Sequence, residues 1–359
     1  MKISKNLAQE IVYNLKGVIN QNINLMNNKG YIIASTDPDR INTYHEASKK
    51  CVAENRTIYI ENRYQYKGSR PGINLPIEFD NEVIGVIGIS GGKEVEKYGT
   101  IIKKMTEILL KEERIKENQS FEKENTRNFI EALIHNKSEN LNYKPDKFDE
   151  STKTLAFSKF PYNYKFEKRE KLIKYIQINM KFLGIYASLI QDELIILLIG
   201  HDKDSSKVML SDIEKLIKEK VGFKIHIGVS KSFYYCKHAN NFYEEAKKAY
   251  MWGIYTDKDL TFYEDLDIGR LITSIDSKDL YEFSYRILKN IPDKDLEFYK
   301  KLIKLYGFHN GSITKIADSL YMHKNSIQYR LHKIKDYTGY DPRKINDYMV
   351  LYFAFISIS

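Results

Sequence analysis

Two stretches of this 359-residue chain carry more polar chemistry than their surroundings require. The first, ASTDPDRINTYHEA at 34–47, follows a strand-like apolar run and gathers Ser35, Thr36, Asp37, Asp39, Arg40 and His45 within a dozen positions. Asp37 before Pro38 suits a helix start. Arg40 and His45 would then lie on that helix, beside its free first N–H groups. The stretch alone leaves two readings open: a turn with its cap, or part of a binding site. The second, GSITKIADSLYMHKNSIQYRLHKIK, occupies 311–335. Ser312 can cap a helix on which Ile313, Ile316, Ala317 and Leu320 fall at i, i+3, i+4 and i+7. After a break at 321–323, Ile327, Leu331 and Ile334 repeat that spacing, while Asn325, Gln328, Tyr329 and His332 share another face. Two short helices with a polar outer face on the second are the pattern of a helix-turn-helix. Residues 321–335 hold Lys324, Arg330, Lys333 and Lys335 and no acid, so they can lie against phosphates without repulsion. Asn325 and Gln328 can bond an adenine edge bidentately, whereas the cations position the helix. The plainer alternative is a helical hairpin packed on another element.

The elements that must position these residues follow from periodicity. Leu7, Ile11, Val12, Leu15, Val18 and Ile19 form one face of a first helix. INLMNNKGYIIAS reads as a hairpin turning at 27–30, and GINLPIEFDNEVIGVIGIS as another turning at Asp80-Asn81. The first ~90 residues are thus expected to pack helices on a small antiparallel sheet. From Val95 a long charged helix is expected, with Ile101, Met105, Ile108, Glu112 and Ile115 in four-three spacing; Phe129, Ile130, Leu133 and Ile134 then start a new apolar face. The polar run 135–152 reads as a linker. Residues 153–256 return to α/β patterning, with strand-like TLAFSKF, LGIYASLI, ELIILLIG and FKIHIGVS and a hairpin around Gln191-Asp192-Glu193. After Ile268 the pattern is all helical.

Composition narrows the class. Hydrophobic content is 42%, charged content 29% and net charge +9, ordinary values for a globular protein with a mild lean toward nucleic acid. Cys51 and Cys236 are far apart, which speaks against a disulfide framework or zinc site. The N-terminus has no apolar leader core, and LIILLI and VLYFAFI fall far short of the roughly 20 residues of a membrane helix. The expectation is a cytoplasmic protein with no membrane, metal or cofactor partner. No catalytic motif is present, so no enzyme is expected. Gly85, Gly88, Gly91 and Gly92 lack the Lys-Ser/Thr ending of a phosphate loop and read as close backbone packing.

The C-terminal residues His323, Asn325, Ser326, Tyr329, Arg330, Leu331, Thr338, Gly339, Asp341 and Pro342 closely resemble the helix-turn-helix of the PucR and carbohydrate diacid regulator families. Asp341 and Pro342 also suit the start of a last helix. The middle region resembles the degenerate GGDEF-like domain of those families. Its hairpin reads IQDEL, without the glycines that admit a nucleotide, which implies a structural or dimerising role; Asp192 and Glu193 as metal ligands is the rival reading. STDPDRINTYHEA at 35–47, GINLPI at 72–77 and residues 84–110 resemble the sugar-diacid recognition domain of the carbohydrate diacid regulators, a PAS/Cache-like sensor. Asn42 and Ala47 stand where that family more often has Gly.

The resemblance implies an α+β multidomain protein: a sensor at 1–115, a helical linker at 116–150, a GGDEF-like domain at 151–262 and an all-α DNA-binding domain at 263–359. It implies a ligand-responsive transcriptional regulator, an activator of carbohydrate-acid catabolism. A homodimer would sense a small organic acid, such as a sugar diacid or glycerate, and bind operator DNA. The expected ligand contacts are Ser35, Thr36, Arg40, His45, Arg70, Gly72 and Asn74, with Asp37 structural. The expected DNA contacts are Lys324, Asn325, Ser326, Gln328, Tyr329, Arg330 and Lys333. The alternative class is a cyclic-dinucleotide enzyme or receptor using the middle domain.

Overall fold

The computed structural model describes residues 3–137, 143–161, 164–222 and 224–358, and the chain forms two compact units, 1–121 and 122–359. It is a mixed α+β protein with two five-stranded sheets and a helical C-terminal region.

In the first unit, Ser4 caps α1 (Lys5–Lys16), accepting from the Leu7 amide at 3.3 Å, and Ala8, Ile11, Val12 and Leu15 form its buried stripe. Strands β1 (Ile23–Asn27) and β2 (Ile32–Ser35) make the first expected hairpin; β4 (Gly72–Phe79) and β5 (Glu82–Ser90) make the second. Asp80 and Asn81 take φ of 50° and 64°, the left-handed pair that matches strand twist in a tight hairpin. With β3 (Ile58–Ile60), the all-antiparallel order is β2-β1-β5-β4-β3. The alternation of strand side chains gives this sheet two unlike faces. Ile23, Leu25, Ile73, Leu75, Ile77, Ile87 and Ile89 share a core with α1 and with Ile102 and Leu110 of α3 (Glu96–Ile134). The other face carries Asn24, Met26, Gly72, Asn74, Val86 and Gly88. Here α2 (Glu46–Glu54) sets Ala47 and Cys51 against Met26 and Val86.

The long helix is present as expected, and of its four-three seam Met105 packs against this core. Ile101, Ile108 and Ile115 remain exposed.

The second unit takes in the end of α3, where Phe129, Ile130, Leu133 and Ile134 are buried. Its sheet comprises β6 (Lys153–Lys159), β7 (Ile185–Ile190), β8 (Glu193–Ile199), β9 (Ile227–Val229) and β10 (Leu260–Phe262), in the order β10-β9-β6-β8-β7. Helices α4 (Phe166–Met180) and α5 (Lys203–Val221) cover one face. The end of α3 and α6 (Ala239–Thr256) cover the other. The run FKIHIGVS contracts to the three residues of β9, and its Phe223 lies outside the described residues, as do 138–142 of the polar run. Phe148, from the same run, is buried in the core beside Phe129.

The remaining chain is helical, as expected: α7 (Gly269–Ile272), α8 (Ser277–Leu288), α9 (Asp293–Phe308), α10 (Ile313–Leu320), α11 (Lys324–Thr338) and α12 (Ile345–Ile356). Trp252 and Tyr255 of α6 pack with Leu280 of α8 and Ile356 of α12, joining these helices to the second sheet. Asp341 and Pro342 do not open the last helix. Asp341 accepts from the Arg343 amide and guanidinium at 2.8–3.1 Å, which closes a turn, and α12 begins three residues later with Lys344 as its cap position. Arg343 and Lys335 hold the Asp341 carboxyl down at about 2, so the turn stays ion-paired at any ordinary pH.

Candidate functional site

The stretch 35–47 does not form the expected helix. Pro38–Arg40 is a single 3-10 turn, and Asp37, its cap position, makes no side-chain capping bond. Asn42 ends it with φ of 66°, a left-handed backbone that Gly adopts most easily and Asn next. The departure from Gly at this position is therefore conformationally tolerated. The helix starts later, at Glu46, and His45 is its cap: Nδ1 accepts from the Ser48 amide at 3.2 Å. That bond leaves the ring proton on Nε2, free to donate. Burial, and then the nearby Arg40 charge, press the His45 pKa down to about 4, so the ring is neutral.

Arg40 is itself buried, and a guanidinium Nη donates to the Gly68 carbonyl at 2.6 Å. Burial is the first cause of its lowered pKa, Arg70 the second. Gly68 lies against Tyr44 and His45, which brings Ser69 to the same corner. Along α2, Ser48 follows His45 by one turn and Cys51 follows Ser48. Cys51 Sγ lies 3.6 Å from the Asn74 carbonyl, so this helix face runs from His45 toward Asn74. Asn74 pairs with Gly88, and its Oδ1 lies where a Cβ on Gly88 would be only 2.6 Å away. Gly88 pairs in turn with Asn24, and Asn24 with Ser35, making a polar row across an otherwise apolar sheet.

Ser48 Oγ, Ser69 Oγ and Asn74 Nδ2 are all buried and without a hydrogen-bond partner. Such groups cost about 1–3 kcal/mol each unless something else supplies the bond. Of the expected set, Arg40 and His45 thus lie close together at the start of α2, and Asn74 lies against Cys51 of the same helix; Ser48 and Ser69, also without a partner, were missed by sequence reasoning. A Ser on a helix face is an unremarked residue, but Asn24 within INLMN was a legible signal, a polar side chain in a buried strand.

The other expected ligand contacts are engaged elsewhere. Ser35 Oγ donates to Asn24 Oδ1 at 2.7 Å and accepts from the Asp37 amide. Thr36 Oγ1 accepts from the Ile23 amide and donates to Asn22 Oδ1, both at 3.1 Å. Arg70 is half exposed and pairs with Asp37 at 3.1 Å. Gly72 starts β4 with φ of 152°, pressed on the Ile89 carbonyl.

In the C-terminal region, α10 buries Ile316 and Ala317 and α11 buries Ile327, Leu331 and Ile334. Tyr321 ends α10 with φ of 53° and is 98% exposed at the turn, a candidate contact that sequence reasoning left out. His323 caps α11, Nδ1 accepting from the Asn325 amide. Lys324, Asn325, Gln328 and Tyr329 are exposed on the outer face, Ser326 and Lys333 partly so. Arg330 turns the other way: it pairs with Asp295 at 3.4 Å and lies 5.1 Å from the Phe298 ring, tying α11 to α9.

In the middle region, Asp192 is bonded to Arg169 and Glu193 to Tyr243, with Lys159 also at 3.3 Å from Glu193. The two acids therefore serve different partners. Among the described residues, no group of three or more His, Cys, Asp and Glu could hold a metal ion, and no helix is long and apolar enough to cross a membrane.

The family described as "Putative sugar diacid recognition" matches residues 3–133, and the PucR C-terminal helix-turn-helix domain matches residues 301–356. An uncharacterized protein of Haemophilus influenzae is 24% identical, covering 98% of both chains. YsfB of Bacillus subtilis is 25% identical, covering 97% of this chain and 96% of its own. The carbohydrate diacid regulator of Escherichia coli is 23% identical over the same shares, 97% and 96%. Among solved structures, a regulator of polyketide synthase expression from Bifidobacterium adolescentis aligns over 65% of this chain and 91% of that chain at 16% identity. Its TM-score of 0.26 is too low to establish a common fold.

Proposed function

The chain belongs to the carbohydrate diacid regulator family, with a PucR-type helix-turn-helix, and from that premise we propose that it activates carbohydrate-acid catabolic genes in response to a small organic acid. As a member of that family it is a transcription regulator rather than an enzyme. The observation that carries the DNA-binding part is the outer face of α11: Asn325, Gln328 and Tyr329 stand exposed over the buried Ile327, Leu331 and Ile334. Asn325 and Gln328 read base edges, Lys324, Ser326, Tyr329 and Lys333 hold phosphates, and Arg330 fixes the tilt of the helix through Asp295.

Upstream, the β2-β1-β5-β4-β3 order supports a PAS/Cache-like sensor at 1–115, and the buried Arg40 with the unpartnered Ser48, Ser69 and Asn74 supports ligand contacts on its α2 side. The hairpin β7–β8, lacking glycines and with both acids already partnered, supports a GGDEF-like domain without cyclase activity. The exposed Ile101, Ile108 and Ile115 of α3 support a homodimer joined along that helix, and a DNA-binding regulator of this family suits the cytoplasm. Effector binding favours one arrangement of the dimer, and the spacing of the two α11 helices then fits or misses the operator.

Gln328→Ala is the cleanest test of the DNA face, because the exposed side chain carries no packing. The variant should melt like the parent and keep the salt dependence of binding to DNA upstream of its own gene. Its discrimination between operator and a single-base variant at the contacted position should fall about 10-fold, the worth of one bidentate contact. Unchanged operator preference would remove Gln328 from the reading set. Production or binding of a cyclic dinucleotide, with no salt-dependent DNA binding, would sink the regulator reading in favour of the signalling-enzyme alternative.

A further inference from the structure

Helix α8 shows solvent a face that its own packing does not explain. Leu280, Ser284, Ile287 and Leu288 form its buried stripe. On the outer side Tyr281 and Tyr285, one turn apart, stack with ring centroids 6.2 Å apart and are 61% and 59% exposed. Leu271 and Ile275, just before the helix, are exposed as well. Around the tyrosines the charges are sorted by sign. Asp279 and Glu282 come first, Arg286 and Lys289 last, all of them exposed and none in an ion pair among the described residues. That order complements the dipole of α8 itself, but the dipole gives no reason for two exposed aromatic rings.

The order is also self-complementary. Two copies of α8 laid antiparallel about a two-fold axis near residue 284 set Asp279 against the partner's Lys289 and Glu282 against the partner's Arg286, and each pair occurs twice. Lys278 then faces the uncharged Asn290 of the partner subunit. Parallel pairing would instead set each charge against its own kind.

Helix α8 is built into the DNA-binding region. Ile287 and Leu288 share a core with Ile316 of α10 and with Ile327 and Leu331 of α11. Ser284 Oγ lies 2.7 Å from Ser357 Oγ, and Asn290 Nδ2 donates to the Tyr337 carbonyl at 3.3 Å. A contact between two α8 helices therefore fixes how two α11 helices stand to each other. The helix is about 18 Å long, too short to cover the roughly 800 Å² per partner of a stable interface. The contact thus acts between chains already held together elsewhere.

Resting on the homodimeric DNA-binding reading above, we propose that α8 is a second self-association surface. It pairs antiparallel with α8 of a second copy and sets the spacing of the two α11 helices.

The test uses the full chain and a charge swap. Asp279 and Lys289 lie about 15 Å apart along one helix, too far to touch within a chain. Asp279→Lys and Lys289→Asp each set like charges across the two-fold axis, and each should weaken the dimer in sedimentation, and operator binding with it, by about 10-fold. The double variant should return both to within about 3-fold of the parent. Within one chain the double variant is the worst of the three for the helix dipole, so recovery can come only from the partner. Singles that behave like the parent, or a double as weak as the singles, would overturn the α8 pairing and leave the α3 dimer intact. A parent that is monomeric in solution and binds its upstream DNA as one chain would overturn both this inference and the homodimer reading.

Discussion

Arg40→Met is expected to lose about 100-fold or more in effector affinity while melting as high as the parent, or higher, when no effector is present. The two halves of this outcome share one cause. Arg40 is buried with a single hydrogen-bond acceptor, the Gly68 carbonyl, and no buried anion. Met fills similar volume without charge, which removes a desolvation penalty of several kcal/mol. The lost bond to Gly68 costs about 1.5–3 kcal/mol, so the empty protein breaks even or gains. With effector present the sign reverses. Truncating one partner of a buried charge pair costs about 2–5 kcal/mol, and 2.7 kcal/mol is about 100-fold in Kd. Calorimetry for affinity and scanning calorimetry for stability, on the same preparation, check both halves. Effector stabilisation that persists unchanged in Arg40→Met would remove Arg40 from the site.

Ile108→Asp should turn the proposed dimer into a monomer and lower operator affinity by at least about 100-fold. Ile101, Ile108 and Ile115 lie seven residues apart on α3 and are 57%, 56% and 47% exposed, whereas Ile102 and Leu110 on the same helix are fully buried. The helix therefore has one apolar stripe used by its own domain and three isoleucines at seven-residue spacing left exposed. Seven-residue spacing is what a matching helix requires. A charge in the middle of that seam opposes association without touching the core, so the melting temperature of the first unit should hold. Losing paired half-sites brings binding toward the non-specific level, typically 10³–10⁷-fold weaker. Sedimentation and operator titration at fixed salt read both effects. A variant that stays dimeric would place the interface elsewhere.

Hairpins and long helices were legible because local chemistry and packing agree there. Asp80-Asn81 sits in the left-handed pair its sequence announces, and Ile327, Leu331 and Ile334 are buried where their spacing puts them. The two Asp-Pro pairs misled for the same reason at both ends of the chain. Asp37-Pro38 makes one 3-10 turn, and Asp341-Pro342 makes a turn closed by Arg343. Both have the residues of a helix start, but an arginine takes the carboxylate: the distant Arg70 in one case and the neighbouring Arg343 in the other. The real caps, His45 and His323, use a ring nitrogen and fall outside the usual cap residues. Arg330 looked like a phosphate contact because it lies in a cationic run, and only the placement of Asp295 and Phe298 on α9 reveals where it points. Ser48 and Ser69 were not legible as buried, unpartnered groups because nothing local distinguishes a serine that lacks a partner.

The unlike faces of the first sheet predict how natural variation in this protein should behave. Along β4, residues 73, 75 and 77 share the apolar core and residues 72, 74 and 76 face α2. Neighbouring codons therefore answer to different selection. On the proposed function, drift at 73, 75 and 77 is limited by whether the chain folds, and drift at Asn74 by which effector binds. On that proposal a lineage that moves to a new effector would re-tune itself at Asn74 while Ile73 and Leu75 beside it stay fixed.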